Sequence, residues 1–120
     1  MARVLIVDDA PVNRRLLKTM LEAEGYEVVG EAEDGEEGVK LFIENDPDVV
    51  ILDLSMPGMH GIDALKLMKE HDPKSKVIIL SADSQHEKGP EAALHGADEY
   101  VTKPYKKVDI LDAISRCLQN

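Results

Sequence analysis

Three aspartates, a serine and a lysine stand where apolar runs of this sequence end. Asp8 and Asp9 follow Arg3–Val7, Asp53 lies in Val49–Leu54, Ser81 in Lys76–Ala82, and Lys103 just after Glu99–Thr102. Two carboxylates about 5 Å apart repel by about 3 kcal/mol at an effective dielectric near 20. If the three meet, a bound cation, a raised pKa or both must relieve them. Oxygen donors without neighbouring His or Cys favour a hard ion, Mg²⁺ before Zn²⁺. The four histidines, His60, His71, His86 and His95, have no close-paired ligand spacing and are read as surface or loop residues. Mg²⁺ beside an ammonium and a hydroxyl is apparatus for phosphoryl transfer, in which a carboxylate can supply the attacking oxygen. Asp53, ending the central apolar strand, is the candidate nucleophile. Ser55-Met56-Pro57-Gly58 follows it as a turn that could hold the backbone open to the ion.

A strand-ending Asp taken alone is more often a helix cap or turn former. The joint placement carries the argument, because ligands of an open parallel sheet bind outside the carboxyl ends of its strands. Five short apolar runs supply such strands: Arg3–Val7, Glu27–Ala32, Val49–Leu54, Lys76–Ala82 and Glu99–Thr102. The first, third and fourth are nearly continuous in apolar residues, the mark of strands buried on both faces; the second is mixed and reads as an edge. Between them the period becomes helical. Leu16, Leu17, Met20 and Leu21 form one stripe, with Arg14, Arg15, Lys18 and Glu22 expected to face away, and Pro11 suits the first turn. Asp34 with Glu37 is a capping-box-like pair opening a helix through Val39, Phe42 and Ile43. Ile62, Leu65 and Met68 form another stripe, as do Ile110, Ile114, Cys117 and Leu118, where Cys117 reads as core. Strand and helix alternate, so the fold class is α/β, a parallel sheet with helices on both faces.

The chain has 120 residues, the size of one domain, and is 43% apolar and 32% charged. Its formal net charge of −10 argues against nucleic acid and anionic membrane surfaces as main partners. The amino-terminal apolar run is too short for a secretory signal, and no stretch approaches a membrane span. With Cys117 as the one cysteine no internal disulfide can form, which fits a reducing, cytoplasmic setting.

The motifs VLIVDDA, VVILDLSMPGMHG, VIILSA and GADEYVTKP occur in the order found in response-regulator receiver domains, the CheY-like family of two-component signalling, which the chain resembles over its whole length. The resemblance implies a flavodoxin-like (βα)₅ three-layer sandwich with strand order 2-1-3-4-5, and one receiver domain over residues 1–120 with no output domain. It implies a switch rather than a turnover enzyme. A histidine kinase would donate a phosphoryl group to Asp53, with Mg²⁺ bound by Asp9, Asp53 and the Ser55 carbonyl, and by Asp8 through water. Ser81 would hydrogen-bond the phosphoryl group, Lys103 would pair with it, and Tyr100 would turn inward as Ser81 moves. Lys103–Pro104 would be a cis peptide. Ser55 and Asp83 match positions that tune the lifetime of the phosphorylated state. The output would be contact with a downstream protein through the Pro90–Leu118 surface.

VVGEAEDGEEGVKLF resembles chemotaxis receivers, whereas DDAPVNRRLL resembles those of hybrid kinases and phosphorelays, and motility control is favoured. The alternatives are a phosphorelay intermediate or the receiver of a larger regulator. A Mg²⁺-dependent aspartyl-phosphate phosphatase would want a second Asp two residues after the nucleophile, where Ser55 stands. The chain departs from the family at Gly89-Pro90, because Pro is poorly tolerated inside a helix. A short helix from about Pro90 to near Gly96 is expected, after a mobile loop from Asp83.

Overall fold

Among the described residues, five strands and four helices of three turns or more follow one another as the period changes indicate. In a computed structural model, which describes residues 2–54, 61–82, 92–93 and 95–119, the strands are β1 (Arg3–Val7), β2 (Glu27–Ala32), β3 (Val49–Asp53), β4 (Lys76–Ala82) and β5 (Glu99–Lys103). The helices are α1 (Pro11–Ala23), α2 (Gly35–Asn45), α3 (Gly61–His71) and α4 (Lys107–Gln119). All strand pairs are parallel, in the order β2-β1-β3-β4-β5. Two boundaries differ from expectation by one residue: β3 stops at Asp53 and β5 runs on to Lys103.

Alternation along the strands splits the core into two layers. Leu5, Val7, Val50, Leu52, Val77 and Ile79 meet Phe42 of α2 and Leu65 and Met68 of α3. Val4, Ile6, Ile51, Ile78 and Leu80 meet Leu17 and Leu21 of α1 and Ile110, Ile114 and Cys117 of α4. Each fully buried aliphatic side chain contributes about 1.5–3 kcal/mol of transfer free energy, so the aromatic-poor chain builds its core from Val, Ile and Leu. β2 is only partly buried, as an edge strand is.

Local signals act as their chemistry requires. Pro11 opens α1 where its missing N–H costs nothing. Asp34 caps α2, its Oδ1 accepting from the Glu37 N–H at 2.8 Å, while Glu37 Oε1 accepts from the Glu33 N–H at 2.9 Å. Two expectations for α1 are corrected. Leu16 is 62% exposed, and Arg14 does not face away but is half-buried. The reason is helical rotation: Arg14 precedes Leu17 by three and Leu21 by seven, so it shares the buried face, while Leu16 sits a hundred-degree step aside. The stripes of α2 and α4 also lose one member each, Ile43 and Leu118 being exposed.

Ala92 and Ala93 are helical, and their turn closes at Gly96 with φ of +94° and a Gly96 N–H to Ala93 carbonyl bond of 3.1 Å. This agrees with a helix ending near Gly96. The expected start at Pro90 and the segment from Asp83 lie outside the described residues. Among those described, no helix is long and apolar enough to cross a membrane.

Candidate functional site

The carboxyl ends of β1, β3, β4 and β5 meet on one rim of the sheet. Asp8 leaves β1 with its peptide held on both sides: its N–H donates to the Ala32 carbonyl of β2 at 3.0 Å, and its carbonyl accepts from Arg14 Nη1 at 2.6 Å. Its Oδ1 accepts from the Ala10 N–H at 2.8 Å, an Asx-type turn that leads into α1. Its Oδ2 is buried and has no hydrogen-bond partner among the described residues. Asp9, next along, is exposed. Asp53 is the last residue of β3 and only 2% exposed. One oxygen from each of Asp8, Asp9 and Asp53 can lie within 4.8 Å of the others.

Lys103 closes β5 and reaches across β4, placing Nζ 3.2 Å from Asp53 Oδ2. The peptide that follows it, Lys103–Pro104, is cis. Ser81 is fully buried near the end of β4, in register with Thr102, and one step ahead Ala82 is in register with Lys103. Tyr100 is half-buried and packs, with Ala97, against the core layer that holds Ala92 and Ile79. Ser55 and Asp83 lie outside the described residues.

Burial pushes the Asp8 carboxyl above its ordinary pKa. The Ala10 N–H works against this, the Asp53 and Asp9 charges add to it, and the Lys103 ammonium opposes it. One ammonium thus faces three carboxylates. An orphaned buried oxygen beside two further carboxylates, with no nitrogen or sulfur donor in the set, fits a hard divalent cation of the Mg²⁺ type. Tyr105 is half-buried near the same rim, and its hydroxyl is pushed up in pKa by burial and by the Asp8 and Asp53 charges. His71 is away from this chemistry, its ring edge-on to Phe42.

Arg14, Gly61 and Tyr105 were given no role at the site by the sequence, although Arg14 and Gly61 lie within the DDAPVNRRLL and VVILDLSMPGMHG segments. Arg14 is traceable in the sequence through its i+3 and i+7 relation to Leu17 and Leu21. Gly61 matters for space: a Cβ there would lie 2.8 Å from Leu54 Cα and 3.0 Å from the Asp53 carbonyl oxygen. No local pattern announces that approach.

Residues 4–115 match the family model described as the response regulator receiver domain. The chemotaxis protein CheY of Thermotoga maritima is 42% identical over 95% of this chain and 95% of its own. A receiver domain protein from Clostridium thermocellum superposes with a TM-score of 0.94 at 35% identity, over 99% of this chain and 95% of that one. A chain of the CheX-CheY-BeF3-Mg²⁺ complex from Borrelia burgdorferi superposes with a TM-score of 0.92 at 30% identity, over 98% of this chain and 89% of that one. Fold, rim and full-length similarity agree, and the chain belongs to the response regulator receiver family.

Proposed function

We propose that the chain is a phosphoryl-accepting switch of two-component signalling, with Asp53 as the acceptor. The observation that carries this reading is the Lys103 ammonium 3.2 Å from a buried Asp53 oxygen, in a cluster of three carboxylates. Receiver domains are signalling switches rather than turnover enzymes. Asp8, Asp9, Asp53 and the Ser55 carbonyl would hold Mg²⁺, which when bound neutralises charge on the transferring phosphoryl oxygens. An Asp53 carboxylate oxygen attacks phosphorus of a phosphohistidine on a histidine kinase. The P–N bond breaks, its electron pair returns to the imidazole, and that ring takes a proton from solvent. Lys103 holds an equatorial oxygen and Ser81 donates its hydroxyl hydrogen to another. Water later attacks phosphorus, restoring the Asp53 carboxylate and releasing inorganic phosphate.

The same charge redistribution is the switch. Ser81 and Lys103 are drawn to the phosphoryl group, Tyr100 follows, and the surface from Pro90 to Leu118 changes its affinity for a downstream protein. Similarity to a chemotaxis protein over nearly the full chain supports motility control as the pathway. Incubation with phosphoramidate and Mg²⁺, followed by intact mass, is the test. The expected result is a base-labile gain of one phosphoryl group in the wild type and none in Asp53→Asn. The same adduct in that variant would overturn the assignment.

A further inference from the structure

We propose that Arg14 is a positioning residue for the divalent-cation site, acting on Asp8 through its main chain; this rests on the reading of the acid cluster given above. Arg14 is a cation on an amphipathic helix, yet its side chain is only 13% exposed. Burying a guanidinium is costly unless its donors are used. Here Nη1 donates to the Asp8 carbonyl at 2.6 Å, and Nε lies 3.7 Å from Glu31 Oε1 at the end of β2. Lys18, one turn along α1, holds the other oxygen of that carboxylate at 3.7 Å. The guanidinium therefore ties the loop carrying Asp8 and Asp9 to the adjacent strand.

Its effect on Asp8 is one of constraint. The Asp8 N–H goes to Ala32, the carbonyl to Arg14 and Oδ1 to the Ala10 N–H, so Oδ2 is the one polar atom of this residue without a partner among the described residues and is left for a ligand. A peptide fixed at both its polar ends and a carboxylate fixed at one oxygen leave the remaining oxygen little freedom. Metal sites depend on such supporting bonds: their loss typically weakens binding by about tenfold or more. The fork of Arg is suited to two partners at an angle, which a lysine ammonium on a flexible stem is not.

Coulomb's law and this constraint predict opposite signs. Removing a positive charge near a cation site tightens cation binding if charge is all that matters. Removing a positioning contact weakens it. The experiment is calorimetric titration of the unphosphorylated protein with MgCl₂, for the wild type, Arg14→Met and Arg14→Lys, with circular dichroism to confirm folding. Arg14→Met keeps the buried stem and helix propensity and removes every donor; its Kd for Mg²⁺ is expected to rise about tenfold. Arg14→Lys keeps the charge but serves one partner, and its Kd is expected about threefold above the wild type. Unchanged or tighter binding by folded Arg14→Met overturns the inference. Should that variant not fold, a wild-type Kd in Arg14→Lys overturns it. Absence of Mg²⁺ binding by the wild type would instead overturn the reading of the acid cluster itself.

Discussion

Asp8 is an acid buried at a cost that its neighbours do not fully offset. Its pKa is raised from the ordinary 3.8, first by burial, then by the charges of Asp53 and Asp9. The folded state therefore holds the Asp8 proton more tightly than the unfolded chain. The associated stability is fully present below the unfolded pKa and is lost as pH rises through the folded one. At neutral pH and without a divalent ion the carboxylate is a net cost. Asp8→Asn keeps an oxygen for the Ala10 N–H and replaces the orphaned oxygen with a donor facing carboxylates. We expect it to raise the stability of the metal-free protein at pH 7 by about 1 kcal/mol, or roughly 4 °C in melting temperature. Wild-type melting should rise with added MgCl₂ and return with EDTA; Asp8→Asn should show neither response. A lower metal-free melting temperature for the variant would contradict this account. Asp8, Asp9, Asp53 and Lys103 were legible in the sequence as a group because strand ends in a parallel sheet converge whatever the side chains between them. For Arg14 the buried helix face was traceable from Leu17 and Leu21, but its partner was not, since the approach of the guanidinium to the Asp8 carbonyl is set by how α1 docks beside β1 and leaves no mark in the sequence.

The elements are set by periodicity, and their junctions by space. Three buried strands, the edge strand and the α3 stripe were readable because period 2 and period 3.6 are imposed by the backbone itself. Leu16, Ile43 and Leu118 misled because an apolar residue at the margin of a stripe can face water at little cost. The close approaches were invisible for a different reason: a missing Cβ leaves no pattern. At Gly61, which opens α3, a Cβ would lie 2.8 Å from Leu54 Cα and 3.0 Å from the Asp53 carbonyl oxygen, both backbone atoms that cannot swing aside. Gly38 packs α2 on β1, where a Cβ would meet only the Val7 methyls at 2.9 and 3.0 Å. Overpacking costs about 1–3 kcal/mol, against a gain of up to about 1 kcal/mol in helix propensity from Gly to Ala. Urea denaturation should therefore show Gly61→Ala as the more destabilised of the two Ala variants. Because the strain falls on the peptide of the proposed acceptor, Gly61→Ala should also phosphorylate more slowly than Gly38→Ala under the same phosphodonor. Equal rates would show that the β3–α3 junction does not position Asp53.

At the scale of the molecule, the question is how an event at one rim reaches a surface formed by β5 and α4. A phosphoryl group on Asp53, as proposed, would bring about two negative charges into a cluster where Lys103 is already 3.2 Å from Asp53. Lys103 closes the strand that carries Tyr100 three residues earlier, and β5 is paired along its length with β4, which carries Ser81. Movement of Ser81 and Lys103 toward the site would therefore act on the strand bearing Tyr100, which is half-buried and, like Ala97, packs against the core layer that holds Ile79. Beside that strand, α4 presents exposed Val108 and Leu118, apolar surface available to a partner. A ligand shifts such an equilibrium only through different affinities for its two states, and in the proposed switch Lys103 would supply that difference. Lys103→Ala should accept the phosphoryl group, because Asp53 and the other carboxylates remain, yet fail to transmit it. With phosphoramidate and Mg²⁺, intact mass should show the adduct in both proteins. The Tyr100 and Val101 amide resonances should shift in the wild type and stay near their unphosphorylated positions in Lys103→Ala. Wild-type shifts in that variant would place the coupling on Ser81 alone and remove Lys103 from the switch.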